Sequence, residues 1–372
     1  MKIKINKSDL ISGLHKIQSI VQTRNTMPIL SNVRIETQKK GIQLFATDLE
    51  IGLQDFVPAE IADPGMITVS ARKFYEIAKE LKEEEIRIET DDHLQMVIKS
   101  GKSSFKLRGL SAQEYPSFPE IKKTLKLSLN AAILQEMIKK TSYAVSSDLS
   151  RISLNGVLFH IPGSKKKSIE MVATDGHRLS MVSRELLSAG IAEVPLKVII
   201  PKKAILELKR FLDEGDHKDV EITVSENHIV FQEGNYTLLS RLIDAKFPNY
   251  EDVVPKENHI RLMIQRDLFQ GAIRRVSILS DEKTNSIKLS LRKGEIQISS
   301  SNPEVGEAKE SLSSDYQDEE LEAGFNVRYI QDVLSALQGD EVTMLFRDSL
   351  SPTRLEDPLD PGFLGVIMPM RI

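Results

Sequence analysis

The 372-residue sequence contains no cysteine and no tryptophan. Without cysteine the chain has no disulfide, no thiolate metal ligand and no cysteine nucleophile. It also lacks an apolar run of the roughly 18–20 residues that a membrane helix needs. The opening residues, MKIKINKSDL, lack the apolar core of a secretory signal peptide. We therefore expect a cytoplasmic protein.

Signatures of enzymes are missing as well. The sequence has no GxxxxGK[ST], no GxGxxG after a strand and no HExxH, and its seven histidines show no metal-ligand spacing. A hydrolase built on Asp175 and His177 would need a nucleophile or metal that the sequence does not supply. We expect no catalytic residue, no metal and no cofactor. The net charge of −4 gives no electrostatic case for nucleic-acid binding by itself, so that case depends on how the charges are distributed.

The chain repeats itself three times. The triplet Ala46-Thr47-Asp48 recurs as Ala173-Thr174-Asp175 and, weakened, as Ser300-Ser301-Asn302, at intervals of 127 residues. Such a period indicates a repeated structural unit. An Asp or Asn at every repeat is typical of a turn in which the side chain accepts hydrogen bonds from the backbone. We therefore interpret Asp175 as structural rather than catalytic, whereas Gly176-His177-Arg178-Leu179 has no counterpart in the first repeat.

Each repeat carries two helical patterns. Leu10, Leu14 and Ile17 show the spacing of one helix face, and related segments follow near residues 131 and 266. The second helices begin at Ser70, Pro201 and Asn326, residues suited to a helix start. Alternating stretches such as IRIET, LQMVIKS, VEITVS and IKLSLRKGEIQIS predict antiparallel strands. The fold class is therefore α+β, with three domains at 1–122, 123–254 and 255–372.

Basic residues occupy matched helix positions. They are Arg72, Lys203 and Arg328 on the second helices, and Lys16, Lys140 and Arg275 on the first. A solvated helix face or a stripe facing phosphates would both explain them. Helices packed about 8–10 Å apart in a closed ring leave room for a duplex with twelve helices but not with six. Three domains per chain would then require two chains, as in a closed symmetric dimer.

Several longer stretches resemble one family. They are ARKF (71–74), LNGVLF (154–159), ATDGHRL (173–179), FPNY (247–250), GFNVRY (324–329) and the terminal VIMPMRI (366–372). Together, in this order and over the whole chain, they resemble the bacterial sliding clamps, the beta subunits of DNA polymerase III. The resemblance implies a head-to-tail homodimeric ring of six domains. Such a ring encircles duplex DNA without reading sequence and makes the replicative polymerase processive, while the polymerase activity resides in partner subunits.

The resemblance also implies a hydrophobic cleft between the second and third domains. There the family binds short linear peptides of the polymerase catalytic subunit, the clamp loader, other polymerases and repair proteins. The expected cleft residues are Leu154, Thr174, Gly176, His177, Arg178, Leu179, Pro248, Val253, Asn326, Tyr329, Leu350, Val366, Met368, Pro369, Met370 and Arg371. Methionine is adaptable apolar surface, which suits several peptide sequences. Taken alone, VIMPMRI is also compatible with a last edge strand, and His177 with an ordinary surface or core histidine.

For DNA, the resemblance adds the loop residues Arg24 and Arg151 to Arg72, Lys140, Lys203, Arg275 and Arg328. The chain departs from the family where two tyrosines are expected, because Ile152 and Ser153 stand there and cannot stack on unpaired bases. Two further departures, Asp252 and Pro352, lie at the expected cleft.

For the ring seam, the implied apolar contacts are Ile77, Leu81 and Phe105 on one side and Ile278 and Leu279 on the other. Lys73 and Lys102 would face Glu304 and Glu307, in pairs worth under about 1 kcal/mol each. Phe105 is equally compatible with an ordinary core position. A repeat scaffold that binds only proteins is the remaining alternative, against which the matched basic residues argue.

Overall fold

The computed structural model describes residues 1–21, 27–119, 121, 125–163, 168–186 and 195–371. Six helices occur there, two per repeat as predicted: Lys7–Gln18 (α1), Ala71–Glu80 (α2), Ala131–Thr141 (α3), Lys202–Asp213 (α4), Arg266–Val276 (α5) and Val327–Ala336 (α6). None of these is long and apolar enough to cross a membrane. Ser70 and Asn326 cap α2 and α6 through their side-chain oxygens. Pro201 instead ends a strand, and α4 begins at the next residue.

Short strands make up most of the remaining regular structure. In chain order they are Lys2–Asn6 (β1), Asn32–Gln38 (β2), Gly41–Thr47 (β3), Ile51–Pro58 (β4), Glu60–Asp63 (β5), Met66–Ser70 (β6), Glu85–Thr90 (β7), Gln95–Ser100 (β8), Ser103–Arg108 (β9), Leu125–Asn130 (β10), Gly156–Ile161 (β11), Ser168–Thr174 (β12), Arg178–Glu185 (β13), Leu196–Pro201 (β14), Asp219–Val224 (β15), His228–Glu233 (β16), Tyr236–Arg241 (β17), Ile260–Gln265 (β18), Ser286–Arg292 (β19), Glu295–Asn302 (β20), Gly306–Ser313 (β21), Leu321–Asn326 (β22), Glu341–Phe346 (β23), Thr353–Asp357 (β24) and Asp360–Ile367 (β25). All of their recorded pairings are antiparallel, as the alternating stretches predicted.

The first compact unit comprises Met1–Ala132 and Leu206–Leu242. It contains a five-stranded sheet of order β5-β1-β7-β8-β9 and an eight-stranded sheet of order β10-β15-β16-β17-β4-β3-β2-β6. The eight-stranded sheet joins two repeats, because β17 pairs with β4 and places Leu238 opposite Leu53. Helix α1 buries Leu10, Leu14 and Ile17, the face that the spacing predicted.

The second compact unit comprises Ile133–Ile205 and Ile243–Ile372. It contains an eight-stranded sheet of order β14-β11-β12-β13-β25-β24-β23-β18 and a four-stranded sheet of order β21-β20-β19-β22. Here β13 of the second repeat pairs with β25 of the third. Because each long sheet is shared by successive repeats, the packing groups the chain into two discontinuous units. The domain boundaries after residues 122 and 254 remain predictions.

The repeated triplet forms the predicted turn in all three repeats. Asp48 Oδ1 accepts hydrogen bonds from the backbone N–H groups of Glu50 and Ile51. Asp175 Oδ1 does the same for the second and third residues after it, and Asn302 Oδ1 accepts one such bond. Each turn follows a strand: β3, β12 or β20. The interpretation of Asp48, Asp175 and Asn302 as turn-forming residues is therefore confirmed.

The matched basic residues on the first helices have acidic partners within their own units. The Lys16 ammonium lies 3.1 Å from Asp55, whose carboxyl is buried and therefore has a raised pKa although Lys16 opposes the shift. Arg275 forms two hydrogen bonds with Glu310 while its side chain stays mostly exposed. Lys140 is only 1% exposed. The prediction that Lys140 faces DNA is wrong, because its ammonium points into the protein.

Lys140 belongs to a cluster of four charges between α3, β13 and the start of β25. Its ammonium pairs with Glu136 and Asp360, and Arg184 pairs with the same two carboxylates. Burial alone would raise the pKa of both carboxyls, but hydrogen bonds from Arg184 and Lys140 outweigh it and lower the pKa. Two positive and two negative charges thus compensate one another where water is largely excluded.

We predict that Asp360→Asn lowers the free energy of unfolding by about 3 kcal/mol at neutral pH, because it leaves a buried ammonium short of negative charge. A carboxyl with a lowered pKa stabilises the fold above its ordinary pKa of about 4, and this contribution is lost as the pH falls through the folded value. The difference between the variant and the parent should therefore shrink in acid. Urea unfolding at several pH values measures it.

The matched control is Glu221→Gln, which breaks an exposed pair with Lys126 across β10 and β15. That change should cost under about 1 kcal/mol. Equal losses for Asp360→Asn and Glu221→Gln would contradict the assigned role of the cluster.

Candidate functional site

A cavity of about 270 Å³ opens on the second unit, and we call it the cleft cavity. Ten of the sixteen predicted cleft residues line it: Leu154, Thr174, Gly176, His177, Arg178, Leu179, Pro248, Val253, Val366 and Met368. Asn249 and Tyr250 also line it, and we did not single out either one from the sequence. Both lie in the FPNY motif, which could have indicated that they belong to the cleft.

The floor of the cleft cavity belongs to a hydrophobic core. Leu179, Tyr250 and Val366 are each less than 5% exposed and pack in one cluster. The lip is different, because the side chains of Val253 and Met368 are 51% and 40% exposed. A concave apolar surface with an exposed apolar lip can bury further apolar side chains, at about 25 cal/mol for each Å² removed from water.

The turn at residues 174–178 forms one wall and is held by local hydrogen bonds. Thr174 Oγ1 donates to the Arg178 carbonyl oxygen and accepts from the Gly176 N–H. Gly176 has φ of +89°, and a Cβ there would lie 2.7 Å from the Arg151 guanidinium. Glycine is therefore required both by its conformation and by the close approach of Arg151.

Arg178 is committed to internal contacts. Its Nε lies 3.0 Å from Asp175 Oδ2, one terminal nitrogen donates to Asp332 at 2.5 Å and the other to the Tyr143 carbonyl oxygen at 2.6 Å. The guanidinium also lies over the Tyr329 ring, 4.4 Å from its centroid. Arg178 therefore fastens the turn to α6, and only the rest of its side chain is available as cavity wall.

The C-terminal segment forms the opposite wall. Strand β25 is an interior strand, paired with β13 and β24, so the alternative of a last edge strand is wrong. Just beyond it, the Met368 N–H donates to the His177 carbonyl oxygen at 2.9 Å, and the Met370 N–H donates to Gly324 at 2.8 Å. The chain end is thereby fixed beside the turn.

Six predicted cleft residues do not line this cavity: Asn326, Tyr329, Leu350, Pro369, Met370 and Arg371. Asn326 instead caps α6, and the Tyr329 ring contacts Arg178. Leu350 is 61% exposed, so it lies on the surface of the unit. Of the two departures from the family, Asp252 accepts a hydrogen bond from the Asn249 side chain at 2.6 Å, and the Pro352 carbonyl accepts one from Asn258.

A buried polar group lies behind the cleft cavity. The Tyr250 hydroxyl donates to Glu170 Oε2 at 2.8 Å, and His160 Nδ1 lies 3.0 Å from the same oxygen. Burial lowers the pKa of His160, with a further lowering from Lys197 and an opposing effect of Glu170. Burial also raises the pKa of Tyr250, as does its bond to Glu170. A neutral histidine and a neutral tyrosine thus hold one carboxylate and fix the ring that lines the cavity.

The residues predicted to face DNA are found in several environments. Arg72 and Arg328 are exposed, although Arg72 pairs with Glu76 one helical turn away. Arg151 is half-exposed, lies 3.4 Å from Asp148 and donates to the Asp175 carbonyl oxygen. Lys203 is partly buried near the start of α4. Arg24 lies outside the described residues.

The residues predicted for the ring seam are mostly accessible. Ile278 and Phe105 are 77% and 37% exposed, and Ile77 and Leu279 are partly buried. The charged members Lys73, Lys102, Glu304 and Glu307 are exposed, with Lys73 paired to Glu76. Leu81 is only 3% exposed, so its assignment to the seam is wrong. It directly follows α2 and packs in the core instead.

The fold and this cavity define a class: a chain of three α+β repeats with a preformed apolar site next to its C-terminus. Within the described ranges, no three His, Asp or Glu side chains are grouped as metal ligands would be. Three family models of the DNA polymerase III beta subunit match the chain. The N-terminal domain matches residues 1–119, the central domain matches 128–249 and the C-terminal domain matches 251–371. The chain belongs to this family.

Individual relatives are similar to this chain over all or nearly all of their length. The beta sliding clamps of Pseudomonas aeruginosa and Escherichia coli K12 are 36% and 34% identical, with all of each chain covered. The crystal structure of a sliding clamp from Bartonella birtlesii bound to griselimycin matches with a TM-score of 0.96 at 34% identity, again covering all of both chains. The sliding clamp from Bacillus subtilis matches with a TM-score of 0.95 at 30% identity, covering 100% of this chain and 99% of that one.

We predict that His160 titrates with a midpoint below its ordinary value of about 6.5, because burial disfavours the imidazolium. Glu170→Gln should lower the midpoint further, since it removes the nearby negative charge, and Lys197→Gln should raise it. The pH titration of the imidazole proton NMR signal, assigned by its loss in His160→Gln, measures these shifts.

Lys126→Gln is a control that changes the net charge by the same amount as Lys197→Gln. It should leave the midpoint of the His160 titration unchanged. Because the folded pKa is lowered, the stability that neutral His160 contributes above about pH 6.5 is lost as the pH falls toward the folded value. A midpoint above 6.5 in the parent protein would contradict the burial assigned to His160.

Proposed function

We propose that this protein is a sliding clamp that acts as a homodimeric ring around duplex DNA and makes the replicative polymerase processive. It performs no catalysis itself, and polymerase activity resides in its partners. The observation that carries the proposal is the cleft cavity: a chain of this family has an apolar site where ten residues predicted for partner binding come together.

The ring follows from the number of repeats and from the exposed apolar residues of the proposed seam. Three domains offer six helices, too few to surround a duplex, whereas two chains offer twelve. Ile278 is 77% exposed, so its apolar side chain is accessible to a second chain at the proposed seam. Phe105, Ile77 and Leu279 would add apolar area, while the pairs of Lys73 and Lys102 with Glu304 and Glu307 would add little.

DNA would be held by phosphate contacts without sequence readout. Arg24, Arg72, Arg151, Lys203, Arg275 and Arg328 are the cations we assign to this role. Arg72 and Arg275 already pair with Glu76 and Glu310, so phosphates would have to compete with carboxylates for them. Such exchangeable contacts suit a protein that slides, because no single phosphate is held tightly. The exposed Ile152 offers apolar contact in place of aromatic stacking.

Partners would bind the cleft cavity through short linear peptides. The replicative polymerase, the clamp loader, other polymerases and repair proteins would compete for it. Met368 lies at the lip and Met370 follows it, and their flexible thioether side chains can adapt to different apolar residues. The adjacent backbone is fixed by the bonds of Met368 and Met370 to His177 and Gly324.

We expect sedimentation equilibrium to give a native mass of twice the 41.9 kDa of one chain, persisting on dilution. The physical reason is that the apolar seam residues are covered only in the dimer. Ile278→Asp should shift the equilibrium toward monomer by placing a charge in the seam, whereas Leu359→Asp, at an equally exposed leucine, should not. A monomer at all concentrations would contradict the ring.

We expect the double variant Met368→Ala, Met370→Ala to bind partner peptides about tenfold more weakly, since truncating the Met368 anchor at the lip of the apolar site costs about 1–2 kcal/mol and Met370 lies just beyond it. Fluorescence anisotropy with a labelled peptide measures the affinity, and sedimentation checks that the dimer is intact. The control is Met66→Ala, Met263→Ala, which truncates two methionines elsewhere whose exposure is close to that of Met368. Unchanged peptide binding in the first variant would remove the cleft assignment.

A further inference from the structure

A second cavity, of about 400 Å³, lies beside the cleft cavity in the same unit, and we call it the side pocket. Its lining residues are Leu158, Lys197, Ile199, Ala245, Lys246, Phe247, Pro248, Asn249 and Tyr250. Pro248, Asn249 and Tyr250 line both cavities. The two sites are therefore separated only by this short segment.

The two cavities also share one hydrophobic floor. Leu158 and Ile199, beneath the side pocket, pack in the same core cluster as Leu179 and Val366, beneath the cleft cavity. Phe247 is partly buried against this cluster. An apolar side chain entering the side pocket would thus rest on a surface that is already packed and needs no rearrangement.

The dividing segment is held in place. The Tyr250 hydroxyl donates to the partly buried Glu170 carboxylate, and the Ile243 N–H before the segment donates to the Ile199 carbonyl oxygen at 3.0 Å. Tyr250 itself is only 4% exposed. The two cavities are consequently preformed neighbours rather than alternative shapes of one loop.

The side pocket differs from the cleft cavity in charge. Lys197 and Lys246 line it and are both exposed, and no carboxylate is among its lining residues. Neither lysine has an ion pair recorded within the described part of the chain. The Glu170 carboxylate behind the shared segment is already engaged by Tyr250 and His160. An apolar floor with two available ammonium groups favours a ligand that combines an apolar side chain with carboxylates.

We propose that the side pocket binds an acidic segment of the partner protein that adjoins the peptide seated in the cleft cavity. This inference rests on the proposed function, because the cleft-bound peptide brings the segment to the pocket. The segment would cross Pro248–Tyr250 and place an apolar or aromatic residue on Leu158 and Ile199. Acidic side chains next to that residue would pair with Lys197 and Lys246. Partners sharing similar cleft peptides would then be ranked by the charge of their flanking residues.

The test uses a labelled cleft peptide, defined as one whose binding is lost in the variant Met368→Ala, Met370→Ala. It is synthesised with the extension Glu-Phe-Glu-Glu or Gln-Phe-Gln-Gln at either end. Anisotropy titrations give the dissociation constants of the acidic and the neutral peptide, and their ratio is compared among three proteins. These are the parent, the double variant Lys197→Gln, Lys246→Gln and the double variant Lys39→Gln, Lys40→Gln. The last variant changes the net charge equally at exposed lysines that line neither cavity.

We expect the acidic extension at one end to bind the parent about fivefold more tightly than the neutral extension, as two exposed ion pairs would give. The preference should fall to a ratio of about one in the double variant Lys197→Gln, Lys246→Gln and should persist in the double variant Lys39→Gln, Lys40→Gln. In the parent it should also disappear near 1 M salt, where the Debye length is about 3 Å. No preference in the parent, or an equal loss in both variants, would overturn the side-pocket proposal while leaving the cleft intact. If no partner peptide binds the parent and loses its binding in Met368→Ala, Met370→Ala, the proposed function is contradicted instead.

Discussion

The pairing of β13 with β25 is the interaction on which the functional part of this structure depends. It places Arg178 opposite Ile367 and Leu179 opposite Val366, although the paired residues lie slightly more than half the chain length apart. The turn before β13 and the chain end after β25 are thereby brought side by side, and the Met368 N–H bonds to His177. The cleft cavity exists because two repeats contribute neighbouring strands to one sheet.

Several cations of the second unit are engaged by carboxylates of the same unit. Lys140 and Arg184 neutralise Glu136 and Asp360 where water is largely excluded, so removing one member leaves an uncompensated charge. Arg178 is held in the same way by Asp175 and Asp332. Lys140 lies on α3 and Arg178 and Arg184 lie on β13, so these three cations serve the packing of the second unit.

A hydrogen bond between Glu170 and Tyr250 also shapes the cleft cavity and the side pocket. Glu170 accepts hydrogen bonds that fix Tyr250, and Tyr250 divides the cleft cavity from the side pocket. A buried carboxylate is costly unless it is fully hydrogen-bonded, so its position beneath the dividing ring ties local stability to the shape of both cavities. In the proposed function, the cleft cavity binds the apolar anchors of a partner peptide, and the lysines of the side pocket pair with its acidic flanking residues.

The sequence by itself determined the three repeats, the six helices and the turns at Asp48, Asp175 and Asn302, because these depend on local periodicity and on hydrogen bonds between near neighbours. The motifs also indicated ten of the residues around the cleft cavity. Only the tertiary structure decided that Lys140 and Leu81 are buried, since the position of a residue on a helix does not reveal what packs against it. It alone decided that β25 is an interior strand, and that Tyr250 separates two cavities. Both outcomes depend on pairing between distant segments, which local patterns do not encode.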